Sequence, residues 1–307
     1  MSDLNFTGVF PILVTPFTDD ELIDLTSFAR VVDFMSQLGV DGVTVLGVLG
    51  ESNRLLDAER EELIQSAVAT ADGRIPVVVG TSHPGTHATL QLSQRAEALG
   101  AAAVMITPSR ENVPNETRIF EYFHQVASGI SIPIIAQDHP ASTGVHMSND
   151  LILRIVEEIP QIACIKQEAV PTPPKTRALL AGFSPTHRPA ILTGLGALYG
   201  RYDLESGSDG FMTGFAFPEV LQALVAARKA HDDARLYAIY EQFLPLIVFE
   251  QQPGVAVRKE IFRLRGLLQS NCVRHPGRGI DPQTADHLKT LLNSLLPDVD
   301  LTTPLTF

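Results

Sequence analysis

Ile162-Ala163-Cys164-Ile165-Lys166-Gln167-Glu168 is the stretch on which the reading of this chain turns. It begins apolar without alternating, then breaks into a lysine, a glutamine and a glutamate. An unbroken apolar run of this length is how a strand covered on both faces reads. Comparable runs, rich in Val and Ile and bounded by Gly, Pro or Asp, occupy Val9–Val14, Gly42–Leu46, Pro76–Gly80, Ala102–Thr107 and Pro133–Gln137. Ala163–Lys166 is the sixth, and Ala190–Thr193 and Gly210–Thr213 follow it.

Between these runs lie segments with helical spacing. Leu25–Leu38 follows an Asp24 placed to cap it, and Asp57–Ala71 carries acidic residues in its first turn. Gly85–Leu99 and Glu116–Ser128 repeat the pattern. Eight strands alternating with helices predict a parallel sheet, and eight within residues 1–217 predict an α/β fold of the closed TIM barrel kind, (β/α)8. A doubly wound open sheet is the alternative, but no Gly-x-Gly-x-x-Gly follows the first strand. Residues 218–307 read as helical, at Pro218–Lys229, Ala234–Phe249, Val255–Leu268 and Pro282–Leu295, with no low-complexity linker before them. They predict a C-terminal helical extension packed on the barrel.

With 23 basic against 35 acidic residues and no basic cluster, the net charge of −12 argues against a nucleic-acid or anionic-membrane partner. Two cysteines, Cys164 and Cys272, are too few for a disulfide framework and point to a reducing, cytoplasmic setting. The opening MSDLNFTGVF lacks the basic-then-apolar pattern of a secretory signal, and no run is long enough to span a bilayer.

In such a barrel, chemistry belongs at the C-terminal ends of the strands. The chain has five lysines. Lys175, Lys229, Lys259 and Lys289 fall in loop or helical contexts, where a solvated lysine is the ordinary reading. Lys166 instead ends a strand, and a period of two puts Ile162, Cys164 and Lys166 on one side. Apolar surroundings disfavour the ammonium form, which is what an amine nucleophile needs. A structural ion pair with Glu168 explains the position equally well. After the second strand, Gly47-Val48-Leu49-Gly50-Glu51 offers backbone N–H groups to a ligand carboxylate, although glycines at such a turn are commonly turn chemistry alone. Gln137 and Asp138 end the fifth strand. Gly194, beyond the seventh, and Met212 and Thr213, closing the eighth, are counted with them as substrate-binding positions.

The order Gly47-x-x-Gly50-Glu51, Thr107-Pro108, Pro140-x-x-Thr143-Gly144, Ile165-Lys166 and Asp209-Gly210 resembles the dihydrodipicolinate synthase / N-acetylneuraminate lyase family of class I aldolases over nearly the whole chain. The resemblance implies a Schiff base between Lys166 and a small 2-oxo acid such as pyruvate, with no further cofactor. It also implies carboxylate binding at the Gly47–Glu51 loop and a homo-oligomer, tetramer or dimer. The chain departs from the synthase-type members. Val48 and Leu49 stand where they carry two threonines, Gln137-Asp138 where they carry Tyr-Asn, Ser109-Arg110 where they carry two tyrosines, and Ser142 where they carry an arginine. A carboxamide cannot replace a phenol in proton transfer. Gln137-Asp138-x-Pro140 and Lys166-x-Glu168 are more similar to the branch containing L-2-keto-3-deoxyarabonate dehydratase, as are Arg274-His275-Pro276 and Leu244-Pro245-Leu246-Ile247.

The expected function is therefore a Schiff-base lyase, foremost a hydro-lyase of a 2-keto-3-deoxy sugar acid. Dihydrodipicolinate synthase or pyruvate-dependent aldolase activity is the alternative, and a non-catalytic 2-oxo-acid binder the second one. Lys166 is the expected nucleophile and Glu168 the expected proton carrier, two residues on and on the same side if the strand continues. Gln137 is expected to hydrogen-bond the substrate. Other features read blandly: His83 and His87 lack a third metal ligand, His139 reads as a solvated loop residue, Cys164 as core, and Arg258-Lys259-Glu260 as a charged helix face.

Overall fold

The computed structural model describes residues 4–110, 115–252 and 254–307; residues 1–3, within the opening stretch read above for a signal, lie outside the described residues. Strands and helices alternate as β1 (Gly8–Val9), α1 (Leu25–Leu38), β2 (Val43–Val45), α2 (Asp57–Ala71), β3 (Val77–Gly80), α3 (Thr86–Ala98), β4 (Ala103–Ile106), α4 (Glu116–Ala127) and β5 (Ile134–Asp138). A short α5 (Pro140–Thr143), then α6 (Asn149–Glu158), β6 (Ile162–Gln167), α7 (Thr172–Gly182), β7 (Ala190–Thr193), α8 (Gly200–Glu205) and β8 (Gly210–Phe211) follow. The remainder is helical: α9 (Pro218–Lys229), α10 (Asp233–Phe249), α11 (Val255–Leu264) and α12 (Pro282–Leu295). Asp24 caps α1 as expected, its carboxylate accepting from the Ser27 N–H at 2.9 Å.

The strands pair in parallel in the order β1-β8-β7-β6-β5-β4-β3-β2. The two ends of that order meet: Ile12 bridges Thr44, the Leu13 N–H donates to the Thr44 carbonyl, and the Thr44 N–H donates to that of Pro11. The sheet thus curls on itself into a TIM-barrel-like α/β fold. Regular strand in β1 ends at Val9, although Ile12 and Leu13 still donate to the Thr213 and Thr44 carbonyls.

Alternation along the strands sorts side chains into two apolar layers. Val77, Val79, Val104 and Ile106 join the large cluster between sheet and helices, whereas Val78, Met105, Ile135, Cys164, Leu192 and Met212 fill the interior with Phe10 and Ile12. One expectation fails here. Ile162 does not share a side with Cys164 and Lys166, because the register slips between β5 and β6: Ile134 faces Ile162, but Ile135 faces Cys164. The extra residue, Ala163, turns Ile162 outward, and regular alternation starts only at Cys164.

Past β8, α9 packs on β1 and α8, α10 on α9, and α12 on α10. The reading of Arg258-Lys259-Glu260 as a solvated face is overturned, since all three are buried. Lys259 Nζ lies 2.5 Å from Glu51 Oε1, donates to the Cys272 carbonyl at 2.6 Å and sits 4.3 Å from the centroid of the Phe17 ring. Arg265 is likewise buried on Glu219 at 2.6 Å. A local charge pattern cannot reveal that α11 is covered by the loop after β2 and by the chain after α11. Among the described residues no helix is long and apolar enough to cross a membrane.

Arg274 ties the segment after α11 to the barrel, donating from both Nη atoms to Glu59 at 2.7 Å. That hydrogen-bonded pair, outweighing partial burial, holds the Glu59 carboxyl below its ordinary value. Stability from a lowered carboxylate is present above the unfolded-state pKa and lost as pH falls through the folded one. Amide protection around residues 270–277, relative to the intrinsic exchange rate, should therefore fall as acid protonates Glu59, and Glu59→Gln should remove that pH dependence. Separately, Lys259→Met removes one of the two cations on buried Glu51, leaving Arg54 at 2.5 Å, and should cost about 1–3 kcal/mol in denaturant unfolding. The double variant with Glu51→Gln should lose less; an unchanged Lys259→Met midpoint would contradict the pairing.

Candidate active site

Lys166 lies on the inner face of β6 near its C-terminal end, 5% exposed, with Nζ 3.1 Å from Glu168 Oε2. The Glu168 N–H still donates to the Asp138 carbonyl at 3.0 Å, so pairing with β5 runs one residue past the strand and brings Glu168 to the lysine's side. Gln137, opposite Lys166 in register, donates from Nε2 to Glu168 Oε2 at 2.7 Å. The Leu195 N–H, beyond β7, donates to Oε1 at 3.1 Å, and His139 Nδ1 stands 3.8 Å from Oε2. Burial alone would raise the Glu168 carboxyl. The Lys166 charge, the nearby His139 and the hydrogen bonds from Gln137 and Leu195 outweigh it and hold the group below its ordinary value. Burial lowers His139 against the pull of Glu168, which favours a neutral imidazole.

These groups open onto a cavity of about 150 Å³ lined by Gln137, His139, Lys166, Glu168, Thr213 and Arg258, with Val48 and Leu49 on one wall and Gln251 beside Arg258. A larger cavity of about 420 Å³ lies apart, between Ser109–Arg110, α4 and Val145. Among the described residues no lysine lines it.

Of the residues expected at the site, the fold gathers Lys166, Glu168, Gln137, Val48, Leu49 and Thr213. Thr213 Oγ1 accepts from the Gly196 N–H at 2.7 Å. Gly47, Gly50, Gly194, Met212 and Asp138 do not line the cavity. Gly47 and Gly50 frame the tight turn at Val48–Gly50, and the Gly50 carbonyl accepts from Thr15 Oγ1 at 2.6 Å. Met212 belongs to the interior cluster. Gly194 stands behind Glu168, where a Cβ would fall 2.0 Å from Oε1. Asp138 corrects the expectation most sharply. One residue past the inward-facing Gln137, it points outward and pairs with Lys175 at 2.6 Å, and Lys175 also donates to the Met147 carbonyl at 2.7 Å. Neither Lys175 nor Lys259 is the freely solvated lysine its context suggested.

Sequence reasoning missed His139, Arg258 and Gln251. For His139 there was a usable signal, its place one step beyond a polar strand end. Arg258 and Gln251 had none, because they reach the cavity from the helices after β8. Cys164 is fully buried, and burial pushes its thiol well up, as befits a core residue. His83 Nδ1 accepts the Gly85 N–H at 3.0 Å in a turn, and among the described residues no three His, Cys, Asp or Glu are grouped to hold a metal.

A buried lysine–glutamate pair thus stands at the strand ends of a TIM-barrel-like fold. The chain belongs to the dihydrodipicolinate synthetase family, whose model matches residues 5–295. Its members are class I lyases that form a lysine Schiff base with pyruvate and need no cofactor, and the chain is a lyase of that family. It is 37% identical to L-2-keto-3-deoxyarabonate dehydratase of Azospirillum brasilense, covering 94% of each chain. YagE of Escherichia coli K12, a putative 2-dehydro-3-deoxy-D-gluconate aldolase, is 29% identical, covering 94% of this chain and 97% of its own. The crystal structure of YagE in complex with pyruvate matches with a TM-score of 0.87 at 30% identity, covering 94% of this chain and 98% of that one. Dihydrodipicolinate synthase from Rhodopseudomonas palustris matches with a TM-score of 0.89 at 35% identity, covering 94% and 97%.

Gly194→Ala should displace the Glu168 carboxylate while leaving the barrel folded. Misplacing a reacting group by about 1 Å can cost 100-fold, and a loss of roughly that size in turnover is expected. Wild-type turnover in a folded Gly194→Ala protein would show that the position of Glu168 is unimportant.

Proposed function

We propose that the chain is a Schiff-base hydro-lyase acting on a 2-keto-3-deoxy sugar acid such as L-2-keto-3-deoxyarabonate. The observation that carries this reading is the buried amine of Lys166, 3.1 Å from a carboxylate held ionised at a strand end. Coverage of both chains in the match to the dehydratase supports the substrate class.

In this reading Lys166 passes a proton to Glu168 and attacks the C2 ketone. The carbinolamine loses its oxygen as water and leaves an iminium ion, which acidifies the C3 protons. Glu168, again a carboxylate, removes one and gives the enamine. The same group, now the acid, protonates the C4 hydroxyl, which departs as water with the electrons of the enamine. Hydrolysis of the resulting conjugated iminium frees Lys166, so the net change is loss of one water. Gln137 orients Glu168 and hydrogen-bonds the substrate. The Val48 and Leu49 N–H groups, at the start of a tight turn, receive the C1 carboxylate. Gly47 and Gly50 shape that turn, and Gly194 leaves room for Glu168.

The similarity to YagE favours a second reading, retro-aldol cleavage. There the C4 hydroxyl gives up its proton, the C3–C4 bond breaks, and an aldehyde leaves behind a pyruvate enamine. Dihydrodipicolinate synthesis and non-catalytic binding of a 2-oxo acid stand behind these two. The reading also carries a cytoplasmic homo-oligomer, tetramer or dimer, and a closed (β/α)8 barrel with a helical extension. Packing of α9 on β1 favours counting it as the barrel's eighth helix.

Borohydride added with pyruvate should leave a stable adduct whose peptide mass locates it on Lys166. Lys166→Ala should abolish turnover of a panel of 2-keto-3-deoxy acids, and Glu168→Gln should lower it by roughly 100-fold or more. Release of pyruvate from the panel would favour the aldolase reading. Turnover that survives Lys166→Ala would refute the mechanism.

A further inference from the structure

Arg258 enters the cavity from α11, outside the ring of strands. Its side chain is buried, and Nε donates to Glu250 Oε2 at 2.7 Å. Glu250 is held in turn by the Ala216 N–H, after β8, at 3.3 Å. The two Nη groups make no hydrogen bond among the described residues and are left for whatever fills the cavity. Beside them Gln251 donates from Nε2 to the Ile247 carbonyl at 3.0 Å, which leaves its Oε1 as an acceptor. Gly196 makes this arrangement possible. With φ +62 and no side chain it leaves space where a Cβ would stand 2.4 Å from Gln251 Nε2 and 3.1 Å from Arg258 Nη2.

A fork of donors next to an acceptor suits a hydroxyl group, which both accepts and donates. A second carboxylate suits it poorly. It only accepts, so it would face Gln251 Oε1 without a proton between them. We propose that Arg258 and Gln251 form the specificity subsite for the hydroxyl-bearing end of the substrate, beyond C4. This inference rests on the lyase reading above. Arg258 donates to hydroxyl oxygens there, and Gln251 Oε1 accepts a hydroxyl proton. Chain length and hydroxylation are thereby selected from outside the barrel, by residues that take no part in imine formation.

The test reads a ratio. Borohydride trapping is titrated with a 2-keto-3-deoxy pentonate and with pyruvate, which lacks the hydroxylated end, in the wild type, Arg258→Met and Gln251→Leu. The preference of the wild type for the longer acid should fall by roughly tenfold or more in Arg258→Met, and in the same direction in Gln251→Leu. Gln251→Leu carries the test if loss of the Glu250 partner unfolds Arg258→Met. An unchanged ratio in a folded variant overturns the subsite while leaving the lyase reading intact. A wild-type preference for 2-oxoglutarate over the hydroxylated acid overturns the hydroxyl assignment. Absence of any wild-type adduct overturns the subsite together with the function it rests on.

Discussion

An ammonium and a carboxylate 3.1 Å apart, both nearly shut off from water, are the contact around which this molecule is arranged. Burying either charge alone costs several kcal/mol, and even a pair is tolerable only when its remaining valences are met. Glu168 meets that condition through Gln137 on one side and the Leu195 N–H on the other. Each of those partners comes from the end of a neighbouring strand. The ring of parallel strands thus delivers to one point what none of them carries alone. The slip between β5 and β6 is part of the same constraint, because alternation counted from Cys164 puts both Lys166 and Glu168 on the inner side.

A second set of buried charges ties the helices after β8 to one another and, at Glu51, to the loop after β2. Lys259 reaches Glu51 behind the loop after β2, Arg265 reaches Glu219 on α9, and Arg258 reaches Glu250. Burial pushes the Glu250 carboxyl up to about 7 against the pull of Arg258. Such pairs contribute little net stability compared with apolar packing, but losing one partner is expensive. Their effect is to fix register: α11 is held where Arg258 and Gln251 form part of the cavity wall. In the proposed mechanism the barrel performs the covalent step, and the extension meets the far end of the substrate.

Much of this was legible in the sequence for a simple reason. Strands buried on both faces announce themselves as unbroken apolar runs, so the alternation and the position of Lys166 followed from local pattern. Glu168 followed from a period of two. What escaped depended on phase or on distance. Ile162 was assigned to the wrong side because a one-residue slip leaves no mark in an apolar run. Asp138 was grouped with Gln137 although adjacent strand residues face opposite ways, and Lys175, which claims it, lies on α7. Arg258 and Lys259 looked like a solvated face because a charged triplet on a helix reads the same whether water or another element covers it. The chemistry of Lys166 is legible beside its neighbours, whereas the substrate's outer end meets residues placed by tertiary packing alone.

In the proposed mechanism the buried Lys166 amine, and no other group, bonds to C2 of a 2-oxo acid. A crystal structure of the protein soaked with pyruvate tests it most directly. Continuous density from Lys166 Nζ to C2, with the carboxylate against the Val48 and Leu49 N–H groups and Glu168 beside C3, is the predicted result. An unmodified Lys166 still paired with Glu168, with pyruvate bound elsewhere in the molecule, would contradict the account.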